Sequence, residues 1–213
     1  MPEHNPLHEQ PPNSMTFEEV LDQWVDQEGD RYAALLIERG FLLPEEKMNP
    51  KRVREVTREW RRSAAEGLQN VEWHAERLPN LAVVPEWRLG GYRGWSLYRP
   101  AGQAFTTFAD VVARLDDRSQ EVPQDHRTRI PEMAEHIAAI IQQGKIFTLR
   151  LGNDVAVLEG THRMTALAYA ILHHLPVPKE LTVYEARLPE DAQTNFAAFC
   201  HDIPRRYGPH PIR

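Results

Sequence analysis

Apolar positions follow a helical period in some stretches of the chain and form short unbroken runs in others. Phe17, Val20, Leu21, Trp24 and Val25 recur at helical intervals directly after Thr16, and Thr16 and Glu19 have capping-box spacing, so a helix is predicted from there. A second helical piece covers 33–37 and stops near Gly40. Asn49-Pro50 opens a third, with Val53, Val56, Trp60 and Ala64 along one side. From 81 to 98 the text changes to LAVVPEW, GGYRGW and SLY, which predicts two or three short strands joined at Gly90-Gly91 and Gly94. Thr106 or Thr107 caps a helix through Phe108, Val111, Val112 and Leu115, and the polar stretch DDRSQEVPQDHRTR then reads as a loop. A helix is expected over 131–143, ending at Gly144.

The last third is patterned most strongly. Residues 146–151 read as a strand, Gly152-Asn153-Asp154 as a turn, and 155–158 as a short, continuously apolar strand. A helix over 161–175 carries the stripe Met164, Leu167, Ala168, Ile171, Leu172 and Leu175. Pro176-Val177-Pro178 breaks it, a strand follows at 181–186, and a short helix covers about 190–201. Strands alternating with helices predict an α/β (α+β) fold with a small mixed sheet. The expected organisation is a disordered lead at 1–15, a helical extension at 16–80, and the sheet-bearing domain at 81–213.

Composition narrows the function classes. The chain has 213 residues, enough for one sizeable core, and a formal net charge of -6, so it lacks the overall basic footprint of a duplex-binding protein. Nucleic acid is therefore not the expected partner. With Cys200 as its single cysteine the chain can form no internal disulfide. No apolar run nears the roughly 20 residues a membrane helix needs, and the polar, proline-containing lead lacks a secretory pattern. A cytoplasmic protein with no membrane association is the expectation, with a homodimer left open.

The sequence VLEGTHRMTA carries the densest chemistry, where an apolar strand meets a helix start. A first helical turn has backbone N–H groups without intrahelical partners, and the helix dipole adds positive potential. Gly160 removes the Cβ that would block close approach, Thr161 offers a hydroxyl, and His162 and Arg163 offer donors suited to phosphate. Glu159, at the strand end, could serve as a Mg²⁺ ligand or a general base. Plain capping, with Arg163 paired to Glu159 and His162 solvated, accounts for the same residues.

Gly160-Thr161-His162-Arg163-x-x-Ala166 resembles the G-[CES]-[HR]-R-x-x-A signature of the ParB/sulfiredoxin-like family. The order helix, strand, turn, strand, motif, helix, strand over residues 130–187 is similar to that family's unit. The resemblance implies a ParB/sulfiredoxin-like fold in which Gly160, Thr161, His162 and Arg163 cradle the phosphates of ATP or ADP, with CTP a further option and Mg²⁺ as companion. Thr161 stands where sulfiredoxins carry their reactive cysteine, which argues against sulfiredoxin activity. The chain ends too soon after the motif for the helix-turn-helix domain of chromosome-partition proteins. The local likeness is to the family's small-molecule kinases, which implies phosphoryl transfer to a hydroxyl-bearing small molecule. The alternative is a non-catalytic, nucleotide-responsive or DNA-associated module.

Three further groups bear on function. Asp125 and His126, in the polar loop with Arg127 and Arg129, could approach the same phosphates or supply a base. Lys51, Arg54, Arg58, Arg61 and Arg62 form a basic face that reads as a solvated one laced with i,i+4 pairs, or as a nucleic-acid contact. Trp73, Trp87, Tyr92, Trp95 and Tyr98 crowd the glycine-rich segment, as core residues or as a stacking surface for a base.

Overall fold

The computed structural model describes residues 14–29, 32–64, 68–90, 95–193, 196–197 and 200. Thr16 caps α1 (Phe17–Glu28) through the expected reciprocal bonds with Glu19. After α2 (Ala33–Glu38), Asn49 accepts from the Arg52 amide at the start of α3 (Pro50–Ala64). Thr107 and Asp110 form a second capping box at α4 (Phe108–Asp116). These three helix starts are decided by contacts within three residues, which is why the sequence predicts them.

Six strands form one mixed sheet among the described residues: β1 (Ser14–Met15), β2 (Trp73–Leu78), β3 (Arg88–Leu89), β4 (Phe147–Leu151), β5 (Asp154–Glu159) and β6 (Leu181–Arg187). Their order is β1-β2-β6-β4-β5-β3, with β4 parallel to β6 and β5 parallel to β3, the other pairs being antiparallel. Helices cover both faces. On one, α1, α2 and α3 pack Trp24, Leu36 and Trp60 over Trp73, Phe147, Ala156 and Leu158. On the other, α4, α5 (Gln124–Glu135), α6 (Ile137–Ile140) and α7 (Thr161–Leu172) pack over Val155, Val157 and Val183. Successive β5 side chains thus enter opposite cores, and a strand buried on both faces reads as an unbroken apolar run.

Four expectations are corrected. The segment 16–80 is not wholly helical: Trp73–Leu78 is strand β2, hydrogen-bonded to β6, with Trp73 fully buried and His74 facing the opposite side. The strands expected over 81–98 reduce to Arg88–Leu89. Asn80 caps a 3-10 turn at Leu81–Glu86 by accepting from the Ala82 amide, and a second 3-10 turn forms at Ser96–Tyr98. The Gly91 and Gly94 junctions lie outside the described residues. The expected loop containing Asp125 and His126 is instead the first turn of α5, whose stripe His126, Ile130 and Ala134 is buried. The expected final helix opens with a 3-10 turn at Glu190–Ala192, and the described residues that follow, Gln193, Phe196, Ala197 and Cys200, are helical. Of the expected disordered lead 1–15, residues 1–13 lie outside the described residues, whereas Ser14–Met15 is not disordered but strand β1, paired with β2.

The basic face of α3 is spent inside the molecule. Arg54 pairs with Asp26, Arg58 with Asp22 at 2.7 Å and Glu18 at 2.6 Å, and Arg62 with Glu18 at 2.9 Å. Glu18, Asp22 and Asp26 recur every fourth residue on α1, so the charges are matched between helices rather than along one. No described helix is long and apolar enough to cross a membrane.

Candidate functional site

The β5–α7 junction is built as a tight reversal. Gly160 is the N-cap of α7, in the left-handed region at φ 97°, and supplies no side-chain capping bond. A side chain there would be strained by this φ, and its Cβ, 3.0 Å from Ile146 Cγ1, would require Ile146 to give way. Thr161 is the first helical residue rather than the cap and is 8% exposed. The first-turn amides of α7 thus have neither intrahelical acceptors nor a capping side chain at Gly160.

Arg163 faces away from any simple surface pair. Its Nη1 donates to the carbonyls of Gln143 at 2.7 Å and Gly144 at 2.8 Å. Its Nη2 donates to the carbonyl of Lys145 at 2.9 Å and to Gln27 Oε1 at 3.2 Å. The planar fork of a guanidinium suits this bracket of consecutive carbonyls. Burial pulls the Arg163 value below its ordinary one, and the nearby Glu159 carboxylate offsets part of that. Gly144, at φ 102°, brings the chain so close that a Cβ would collide with Gln27 Oε1. The motif arginine therefore ties the α7 start to the turn before β4 and to α1 on the opposite face of the sheet.

Glu159 ends β5, opposite Phe147 of β4 beyond a register shift. Among the described residues no three or more His, Cys, Asp or Glu side chains converge as a metal site. Mg²⁺ characteristically takes only one or two carboxylates together with substrate phosphates, and Glu159 is the carboxylate beside the helix start.

The structure brings His126 to the motif. Its ring lies 5.3 Å from that of His162, nearly perpendicular to it, and stacks on Trp95 at 4.7 Å. Trp95 also meets His162 edge-on at 5.0 Å. Tyr98, three residues beyond Trp95 in the same 3-10 turn, lies on its side and completes the group. Its hydroxyl is 2.8 Å from His126 Nδ1. Trp95 is 6% and Tyr98 1% exposed, so neither is an open stacking surface for a base. Asp125 is exposed on the first turn of α5 and acts on His126 and Tyr98 by its charge. Trp95 and Tyr98 were readable as core or stacking residues. Their place beside the two histidines rests on tertiary contacts, although a histidine on the apolar stripe 126, 130, 134 is a sequence signal for a buried imidazole.

Burial holds the His126 value below its ordinary 6.5, with Asp125 opposing and Arg129 reinforcing the shift. As pH falls below about 6.5 the unfolded chain takes up this proton before the folded one does, so the contribution is present above that pH and lost below it. Urea midpoints measured from neutral pH to about pH 5.5 are expected to fall less steeply for His126→Gln than for the wild type, as the linkage relation requires. Identical slopes would contradict a depressed His126.

No protein-family model, curated protein or solved structure matches the chain.

Proposed function

We propose that the chain is a nucleotide-binding protein of the ParB/sulfiredoxin-like kind. In this reading the start of α7 holds the phosphates of ATP or ADP, and the terminal phosphoryl group passes to the hydroxyl of a small molecule. The observation that carries the proposal is the glycine-led N-terminus of α7 with His162 and the buried His126 beside it. Backbone amides and the helix dipole supply the electrostatics, and imidazole N–H groups add directed donors. Gly160, Thr161 and His162 form the cradle. Arg163, whose Nη groups are bonded to the 143–145 carbonyls and Gln27, serves by fixing its shape. The order β4, turn, β5, motif, α7, β6 supports the family reading.

Mg²⁺ entering with the nucleotide would neutralise phosphate charge, with Glu159 as its protein ligand. Transfer also needs a group to take the acceptor's hydroxyl proton, and Glu159, Asp125 and His126 are the candidates at this end of the molecule. The DNA-associated alternative draws less support, because Arg54, Arg58, Arg61 and Arg62 of α3 are paired with α1.

A thermal-shift panel of ATP, ADP, CTP and GTP with Mg²⁺ tests the proposal. Stabilisation by ATP or ADP is expected, followed by phosphoryl transfer when hydroxyl compounds are supplied. Stabilisation by none of the four would overturn it. A response to CTP alone, with salt-sensitive DNA binding, would favour the non-catalytic module.

A further inference from the structure

The hydrogen bond between Tyr98 and His126 decides what His126 can do. Tyr98 is 1% exposed, and among the described residues His126 Nδ1 is the hydrogen-bond partner of its hydroxyl. A phenol O–H carries one proton to donate, and burying that proton without an acceptor costs its lost hydration. The proton stays on Tyr98 throughout the ordinary pH range, because burial and the charge of Asp125 push the hydroxyl up to about 12. The O–H therefore donates to Nδ1, and Nδ1 must present its lone pair. A neutral imidazole with its lone pair on Nδ1 carries its hydrogen on Nε2.

The rings around His126 hold it in place. Trp95 stacks on one side, Tyr98 lies nearly parallel at 5.8 Å, and His162 of α7 meets it edge-on. Asp125 and Arg129, on its own helix, are the charged groups acting on it.

We propose that Tyr98 is a positioning residue that fixes His126 as a neutral Nε2–H donor, and that this N–H takes a phosphate oxygen of the ligand at the α7 N-terminus. The proposal rests on the nucleotide reading and sharpens it. Nδ1 is engaged and Nε2 bears hydrogen, so His126 has no lone pair with which to accept the proton of an attacking hydroxyl. His126 becomes an anion-binding group, and proton abstraction falls to Glu159 or Asp125.

Two measurements on the full chain test this. Nitrogen-15 spectra of the imidazoles, recorded without ligand, report the tautomer. The wild type is expected to show His126 as the Nε2–H form alone, and Tyr98→Phe, which keeps the ring and deletes the hydroxyl, to show a mixture of both forms. An Nδ1–H form in the wild type, or an unchanged tautomer in Tyr98→Phe, overturns the positioning role. Calorimetry with ADP and Mg²⁺ then tests the donor role. His126→Gln keeps an N–H donor and is expected to bind nearly as the wild type. His126→Phe is expected to weaken binding about tenfold or more, the scale of a hydrogen bond donated to a charged group. Dispersed amide spectra establish that each variant is folded. ADP binding that leaves the His126 Nε2 resonance unmoved and is unchanged in His126→Phe overturns the donor role. A wild type that binds no ADP overturns the nucleotide reading and the donor role with it, while the tautomer is still decided by the ligand-free spectra.

Discussion

Arg163→Ala is expected to lower the unfolding free energy by about 2 kcal/mol, read from urea denaturation. Four bonds are lost, to the carbonyls of Gln143, Gly144 and Lys145 and to Gln27. The first two carbonyls lie where water can replace the guanidinium, so their share is small. The bonds at Lys145 and Gln27 are partly buried and carry more of the loss. Arg163→Lys should recover less than half, since one ammonium cannot bracket three successive carbonyls. An arginine whose main work was to grip phosphate would behave differently, leaving stability unchanged while nucleotide affinity collapsed. That outcome would contradict the bracing role.

Arg61→Met is expected to be more damaging, at about 3–5 kcal/mol, the cost of breaking a buried ion pair from one side. Arg61 of α3 grips Glu28 of α1, with side chains 4% and 0% exposed, through Nη2 and through Nε at 2.8 Å. Its guanidinium also lies 4.4 to 4.9 Å from the ring centres of Trp24, Tyr32 and Trp60. Methionine retains much of the packing but leaves the Glu28 carboxylate buried without its cation. The double variant Glu28→Gln/Arg61→Met should regain a large part of the loss, because the stranded charge is gone. A single-variant loss under about 1 kcal/mol, the range of exposed pairs, would contradict a desolvated bridge.

Both predictions concern contacts that join segments far apart in the chain, and here the sequence was least legible. Capping at Thr16 and Asn49 is settled within a few residues, so pattern alone located it, and at α4 the pattern left Thr106 or Thr107, of which the cap is Thr107. The run 155–158 announced a strand, and its unbroken apolarity has its reason in the two cores that cover it. Gly160 could be recognised as the turn into a helix because the apolar period changes there. Arg163 is another matter. Its partners are main-chain carbonyls 18 to 20 residues earlier, and any sequence could supply those atoms. The start of α5 was hidden because Gln124 to Arg129 is polar enough to pass for a loop, with only His126 of that turn buried. Strand β2 was hidden too, because WHAERL alternates weakly at the edge of the helical extension.

The interhelical ion pairs change the functional picture as well. An arginine-rich helix in isolation invites a nucleic-acid reading. Once Glu18, Asp22, Asp26 and Glu28 are seen to face it, the helix is the mortar of one core layer. The opposite layer holds the histidines, and Arg163 with Gln27 links the two across the end of the sheet.

In the proposed function, nucleotide phosphates sit on the first turn of α7. Backbone nitrogen-15 spectra recorded as ADP and Mg²⁺ are added test it most directly. Saturable shifts of the Thr161, His162 and Arg163 amides, larger than those of α3 or β2, are expected. Saturable binding that leaves these three amides in place, or no binding at all, would contradict it.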